Sequence, residues 1–139
     1  VLPLTGGKQP PMARLEEVLR AGGVVCLMGE RDLTGRGIPV DFFDERTSMP
    51  AGPAMLAQKT GAALHVAHSF FGEAPDQWGF SVGPRIDADR PLAEIAQDIA
   101  DGFAQNIAAH PADWHMLQPL FYDDLSEARR ARLAAGEAP

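Results

Sequence analysis

The sequence predicts an α/β protein in which a mostly parallel sheet is flanked by helices. Residues 23–28 form a short apolar run that is typical of a buried strand, and they follow an amphipathic segment at residues 12–19. Another short strand is expected before that segment, at residues 1–4. The resulting order of strand, helix and strand is that of a parallel βαβ unit.

Glycine and proline mark the limits of the next predicted elements. The first helix is expected to end at Gly22-Gly23, because glycine readily leaves helical geometry. Pro53 suits the first turn of a second helix, which ends at Gly61. Two more strands are expected over residues 62–70 and 79–86.

The clearest helix is predicted over residues 91–109, where apolar side chains recur at helical spacing and form one stripe. The stripe consists of Leu92, Ile95, Ile99, Phe103 and Ile107. Asp89 is expected to cap the start of this helix, and Pro111 stands just beyond its end. Residues 111–120 are expected to begin another helix, and residues 126–135 to form a last exposed one.

Length and composition limit the functional classes. A chain of 139 residues with 45% hydrophobic residues can bury one core, so we expect a single domain. The net charge of −7 argues against a nucleic-acid partner, because phosphate binding requires clustered Lys and Arg. No apolar stretch approaches the ~20 residues that span a bilayer. Cys26 is the single cysteine, and its apolar neighbours predict a buried, unreactive thiol.

A charged triplet, Glu30-Arg31-Asp32, follows the predicted strand at residues 23–28. Chemistry tends to lie at strand ends in α/β proteins. A carboxylate there can orient a catalytic His and stabilise its protonated form, which makes Glu30 the leading catalytic candidate. The alternative is a loop glutamate that pairs with Arg31 or Arg36, and position alone favours this alternative. Arg31 suits a phosphate, although such a residue often braces neighbouring carboxylates instead.

The histidines do not predict a metal site. His65 and His68 would point to opposite faces of a strand, and His110 and His115 do not share one face of a helix. His68 and Glu73 have a His-x-x-x-x-Glu spacing, but a strand-end His followed by a surface Glu is the preferred interpretation. The sequence has neither a phosphate-binding glycine loop nor a Gly-x-Ser-x-Gly elbow, so nucleotide hydrolysis and serine hydrolysis are not supported.

Five segments carry a resemblance to a known family. They are Gly29-Glu30-Arg31-Asp32-Leu33 and residues 40–43, 50–57, 60–64 and 109–120. In that order they resemble the C-terminal half of the bacterial phosphatidylinositol mannoside acyltransferases, which belong with the lipid A lauroyl and myristoyl acyltransferases. The resemblance extends over residues 1–125, which are expected to be the C-terminal part of an acyltransferase domain. Residues 126–139 are expected to be an exposed helix and tail.

The resemblance implies a glycerolipid-acyltransferase-like fold and a reaction. In the family, an acyl group moves from acyl-CoA, a co-substrate and not a bound cofactor, to a sugar hydroxyl of a membrane glycolipid. The implied acceptor is a mannose hydroxyl of a phosphatidylinositol mannoside, at the cytoplasmic face of the bacterial plasma membrane. The family's second catalytic carboxylate falls on Glu30, and Arg31 and Asp32 are expected to bind substrate or shape the site.

The family's catalytic His-x-x-x-x-Asp motif lies upstream of all the residues present here. The 139-residue chain is therefore expected to be inactive alone, and peripheral membrane contact is expected mainly through the missing N-terminal half. Two alternatives stay open. Acylation of a lipid A precursor is possible within the same class, although residues 110–118 look like the mannoside signature. A non-catalytic lipid-binding or interaction remnant is the alternative from another class.

Overall fold

The computed structural model describes residues 10–32, 35–74 and 76–134. Within these ranges the chain forms four α-helices and two antiparallel sheets of two strands each. The helices are α1 (Pro11–Arg20), α2 (Gly52–Thr60), α3 (Leu92–Ala109) and α4 (Glu127–Ala134). The strands are β1 (Ile38–Phe42), β2 (Glu45–Met49), β3 (Ala67–Phe71) and β4 (Trp78–Val82).

The α/β class is confirmed, and every pair of strands that the structure describes is antiparallel. Strand β1 pairs with β2, and β3 pairs with β4. The reason is the length of the connections: only Phe43 and Asp44 separate β1 from β2, whereas a parallel pair needs a long crossover. Both residues have positive φ, 53° and 63°, as a tight two-residue hairpin turn requires.

Residues 23–28, predicted as a buried strand, form neither a strand nor a helix, and that prediction is wrong. Val24 and Met28 are 85% and 84% exposed, and Cys26 is exposed instead of buried. An apolar run becomes a strand only beside a partner strand, and no strand within the described ranges pairs with it. The strand predicted at residues 1–4 lies outside the described residues.

Four of the five predicted helices are confirmed, as α1 to α4. Gly61 ends α2 in the left-handed conformation with φ of 72°. Asp89 does not cap α3, which begins at Leu92 with Pro91 at the N-cap position and no side-chain cap. Residues 111–120 contain only the short 3₁₀ turn Pro111–Asp113, so the helix predicted there is wrong.

The two strands predicted over residues 62–70 and 79–86 are present but shorter and shifted. Strand β3 begins at Ala67, and β4 ends at Val82. Beyond them, the only further pairing described for these segments is a single antiparallel bridge between Leu64 and Ile86.

Helix α3 provides the centre of the core. Its buried face includes Ile95 and Ile99 and belongs to one cluster with Phe42 of β1. Phe42 also meets Trp114 edge-on, with ring centroids 6.1 Å apart. In the middle of β2, the buried Thr47 hydroxyl donates a hydrogen bond of 2.7 Å to the Leu120 carbonyl. None of the described helices has the length and apolar character needed to cross a membrane.

An ion-pair network joins α1 to α2 and gives a pH-dependent prediction. Glu16 lies 2.5 Å from the Lys59 ammonium and 3.0 Å from the Arg20 guanidinium. The hydrogen bond from Lys59, followed by that from Arg20, lowers the pKa of Glu16. Because the folded pKa is lowered, the contribution of Glu16 to stability is present above the ordinary pKa of a glutamate and is lost as the pH falls through the lowered value.

We expect Lys59→Met to raise the pKa of Glu16 towards its ordinary value, as measured by NMR titration of the side-chain carboxyl. Arg14→Met is the matched control, because Arg14 pairs with Glu17 instead, at 2.8 Å. The control should leave the titration of Glu16 unchanged. An unaltered titration in Lys59→Met would show that this ion pair does not form in solution.

Candidate active site

The candidate loop begins at Gly29 and carries Glu30, Arg31 and Asp32. It packs against α3 through Gly29. Gly29 is buried, and a Cβ atom placed on it would lie 3.3 Å from two ring atoms of Phe103. This is tighter than ordinary side-chain contact, so a larger residue would require the aromatic ring to shift by a few tenths of an ångström. The backbone one residue before Glu30 therefore packs closely against Phe103.

Asp32 organises the residues that follow. Its carboxylate accepts hydrogen bonds from the backbone N–H groups of Gly35, at 3.1 Å, and Gly37, at 2.6 Å. The hydroxyl of Ser48, on β2, donates a third bond of 3.1 Å to it. Charged acceptors make stronger hydrogen bonds than neutral ones, so Asp32 holds this segment against β2.

Glu30 and Arg31 are both half-buried, and neither forms a hydrogen bond or an ion pair with another described residue. In the part of the chain that the structure describes, Glu30 therefore pairs with neither Arg31 nor Arg36. The Glu30 carboxylate thus has no partner within residues 10–32, 35–74 and 76–134.

Arg31 and Asp32 line a small surface cleft with a cavity volume of about 40 Å³. Glu30 is not among its lining residues. The other lining residues are Gly35, Thr47, Ser48, Gln118, Pro119, Leu120, Tyr122 and Leu125. The cleft is thus lined by a guanidinium, a carboxylate and several hydroxyl groups, and it is large enough for a single polar group of a ligand.

The sequence alone did not identify Ser48, Gln118 or Tyr122 as part of this region. Ser48 is distant from Asp32 along the chain, and no short motif connects the two. Its only local signal is its place in β2, where the flanking Thr47 and Met49 are buried and Ser48 is half-buried. The fold is needed to bring its hydroxyl to Asp32.

The histidines do not line this cleft. His110 stacks on Phe70, with ring centroids 4.1 Å apart, and His68 lies beside both rings. Among the described residues, no three His, Cys, Asp or Glu side chains are grouped so that they could hold a metal ion. These histidines pack β3 against the end of α3.

We expect Asp32→Asn to loosen the loop. The neutral amide offers one acceptor oxygen in place of two, and hydrogen bonds to a charged group are worth about 1.5–3 kcal/mol each. Hydrogen exchange at the Gly35 and Gly37 amides, followed by NMR, should accelerate by about tenfold or more. Asp41→Asn is the control, because Asp41 is an exposed residue whose described hydrogen bonds, to Gln97, come from its backbone. Equal exchange in both variants would contradict the role of Asp32.

Sequence comparison identifies the family. The chain belongs to the bacterial lipid A biosynthesis acyltransferase family, whose sequence model matches residues 1–123. This confirms the class that the sequence motifs indicated.

Two relatives show which members of the family the chain is similar to. The chain is 59% identical over 134 residues to the phosphatidylinositol mannoside acyltransferase of Mycobacterium tuberculosis, a match that covers 96% of this chain and 42% of that protein. It is 55% identical to the protein of the same name from Mycolicibacterium smegmatis, covering 96% of this chain and 43% of that protein. The chain thus spans less than half of the length of these relatives.

Proposed function

We propose that this chain is part of an acyltransferase that moves a fatty acyl group from acyl-CoA to a mannose hydroxyl of a phosphatidylinositol mannoside. The observation that carries the proposal is the 59% identity to a protein named for this acceptor, over 96% of the chain. The loop geometry supports it, because the loop presents a half-buried carboxylate that has no partner among the described residues.

The chemistry assigns a role to that carboxylate. Transfer to a hydroxyl requires a base that takes the proton of the hydroxyl as its oxygen attacks the thioester carbonyl and the CoA thiolate leaves. In this proposal the base is a His that lies outside the present residues. Glu30 accepts a hydrogen bond from the other nitrogen of that His, which fixes its tautomer and stabilises its protonated form.

Arg31 and Asp32 complete the proposed site. Arg31 borders the cleft and has no described partner, and a guanidinium binds phosphate oxygens in a fork geometry. We assign to it a phosphate of CoA or of the glycolipid. Asp32 shapes the site through its bonds to Gly35, Gly37 and Ser48, and it keeps the loop in the position that Glu30 requires.

The proposal extends to the surroundings of the enzyme. The described strands form only antiparallel pairs. The parallel sheet would therefore be formed by parts of the longer protein outside this chain. The enzyme would act as a peripheral protein at the cytoplasmic face of the plasma membrane, because its acceptor is a membrane glycolipid. Its bilayer contacts would come mainly from outside this acidic chain, whose net charge is −7.

A lipid A precursor is the second candidate acceptor. The observation that favours it is the matching family, which is described by lipid A biosynthesis. Both acceptors offer a sugar hydroxyl to an acyl donor, so the same loop chemistry would serve either. The acceptor, not the reaction, distinguishes the two proposals.

A chimera tests both acceptors. The 134 matched residues of the Mycobacterium tuberculosis relative are replaced by the corresponding residues of this chain, and transfer from palmitoyl-CoA is measured with each acceptor. We expect transfer to the phosphatidylinositol mannoside, as in the unaltered relative, and none by the 139-residue chain alone. Transfer only to the lipid A precursor would favour the second candidate. A folded chimera that acylates neither acceptor would overturn the proposal.

A further inference from the structure

One side of the hairpin formed by β3 and β4 is apolar and exposed to solvent. Its register places Ala67 opposite Val82, Ser69 opposite Phe80 and Phe71 opposite Trp78. Because alternate residues of a strand share a face, these six residues form one surface, here named the hairpin face. Its four large side chains, Phe71, Trp78, Phe80 and Val82, are 75%, 73%, 61% and 58% exposed, and none of the six residues is charged.

The other side of the hairpin is already covered. Phe70 stacks on His110 at the end of α3, and Gly79 lies directly opposite Phe70, where it leaves room for the ring. Just before β3, Val66 packs closely on Gly102 of α3, whose Cβ position lies 3.0 Å from a Val66 methyl. Among the described residues, the hairpin therefore has a helix layer on one side only. A sheet with apolar residues on both sides is typical of folds that cover both sides.

Soluble proteins rarely leave a contiguous patch of this kind uncovered, so the hairpin face requires an occupant. A bilayer surface would be expected to place Lys or Arg beside the apolar side chains. The hairpin instead carries Glu73 and Asp76 in its connection, and the Asp113 carboxylate accepts the N–H of Phe71 at 2.9 Å. These carboxylates would be repelled by anionic lipid, so the charge favours a protein occupant.

We propose that the hairpin face is covered by the part of the longer protein that lies outside this chain. The relatives are more than twice as long as their matched region, so they contain enough further chain to form a second layer. Val24 and Met28, which are also strongly exposed, show that the hairpin is not the only apolar surface left bare. This inference rests on the length of the relatives and on the exposed surface, and it does not depend on which acceptor is acylated.

Hydroxyl-radical footprinting of the chimera, read by mass spectrometry of peptides, tests the inference without using activity. We expect oxidation of Trp78 and Phe80 to be severalfold slower in the folded chimera than in the same chimera unfolded in urea. The protection should be the same at low and high protein concentration, and with or without vesicles of phosphatidylcholine and phosphatidylglycerol.

Each other outcome overturns the inference. Protection that appears only with vesicles would identify the bilayer as the occupant. Protection that appears only at high protein concentration would identify a second copy. Oxidation as fast as in urea under all conditions would show that nothing covers the face.

A substitution provides an independent measurement. Phe80→Ser in the chimera should lower the thermal unfolding midpoint clearly, because it removes an apolar side chain that the second layer covers. Met55→Ser is the matched control, since Met55 is an apolar residue of α2 that is 49% exposed. Equal, small shifts in the two variants would contradict the inference even if both proteins fold.

Discussion

Glu30→Gln in the chimeric acyltransferase is expected to lower kcat by about 10²–10⁴-fold, with KM nearly unchanged. The amide keeps the size of the side chain, but it has no negative charge to stabilise a protonated His. The loss should therefore fall on the transition state and not on substrate binding. Initial rates of acyl transfer, measured over a range of acyl-CoA and acceptor concentrations, separate the two effects.

Glu45→Gln is the matched control for Glu30, because Glu45 is an exposed glutamate at the start of β2. It should leave kcat unchanged. The pH dependence of kcat adds a second criterion, since Glu30→Gln should also lower the apparent pKa of the catalytic base by removing a stabilising negative charge. Full activity in Glu30→Gln would eliminate this residue from the proposed mechanism.

Phe42→Ala is expected to cause the largest loss of stability, about 3–5 kcal/mol in the free energy of unfolding. Phe42 is 1% exposed, and its ring contacts Phe43, Trp114 and Phe121 at centroid distances of 4.6, 6.1 and 6.3 Å. Its removal would leave a cavity between β1 and the segment that follows α3. Urea unfolding monitored by circular dichroism would measure the change.

Phe43→Ala is the control for Phe42, because it removes the same ring from the adjacent position. Phe43 is 41% exposed, so less apolar surface is lost from contact with the core. We expect a clearly smaller loss of stability than for Phe42→Ala. Similar losses in the two variants would show that the aromatic cluster does not depend on burial of Phe42.

The elements that the sequence predicted well are those whose signals are local. Helix α3 is determined by its own apolar spacing, and Gly61 ends α2 through its own backbone freedom. Strands depend on partners elsewhere in the chain. The apolar run at residues 23–28 resembled a strand, but the described structure provides no strand beside it.

The candidate site also combines features that are visible in the sequence with contacts that only the fold creates. The charged triplet Glu30-Arg31-Asp32 is visible in the sequence because its members are consecutive. The bond from Ser48 to Asp32 and the packing of Gly29 on Phe103 join distant positions, and no local pattern encodes them. Periodicity and motif spacing cannot detect contacts that only the tertiary fold creates.

The packing of Gly29 on Phe103 also has an evolutionary consequence. A side chain at position 29 would require the Phe103 ring to shift by a few tenths of an ångström. A substitution at either position changes which residues the other can accept, so the two should not vary independently among related proteins. Lineages that acquire alanine or serine in place of Gly29 are expected to carry a smaller residue in place of Phe103, and the order of acquisition should place the smaller residue first.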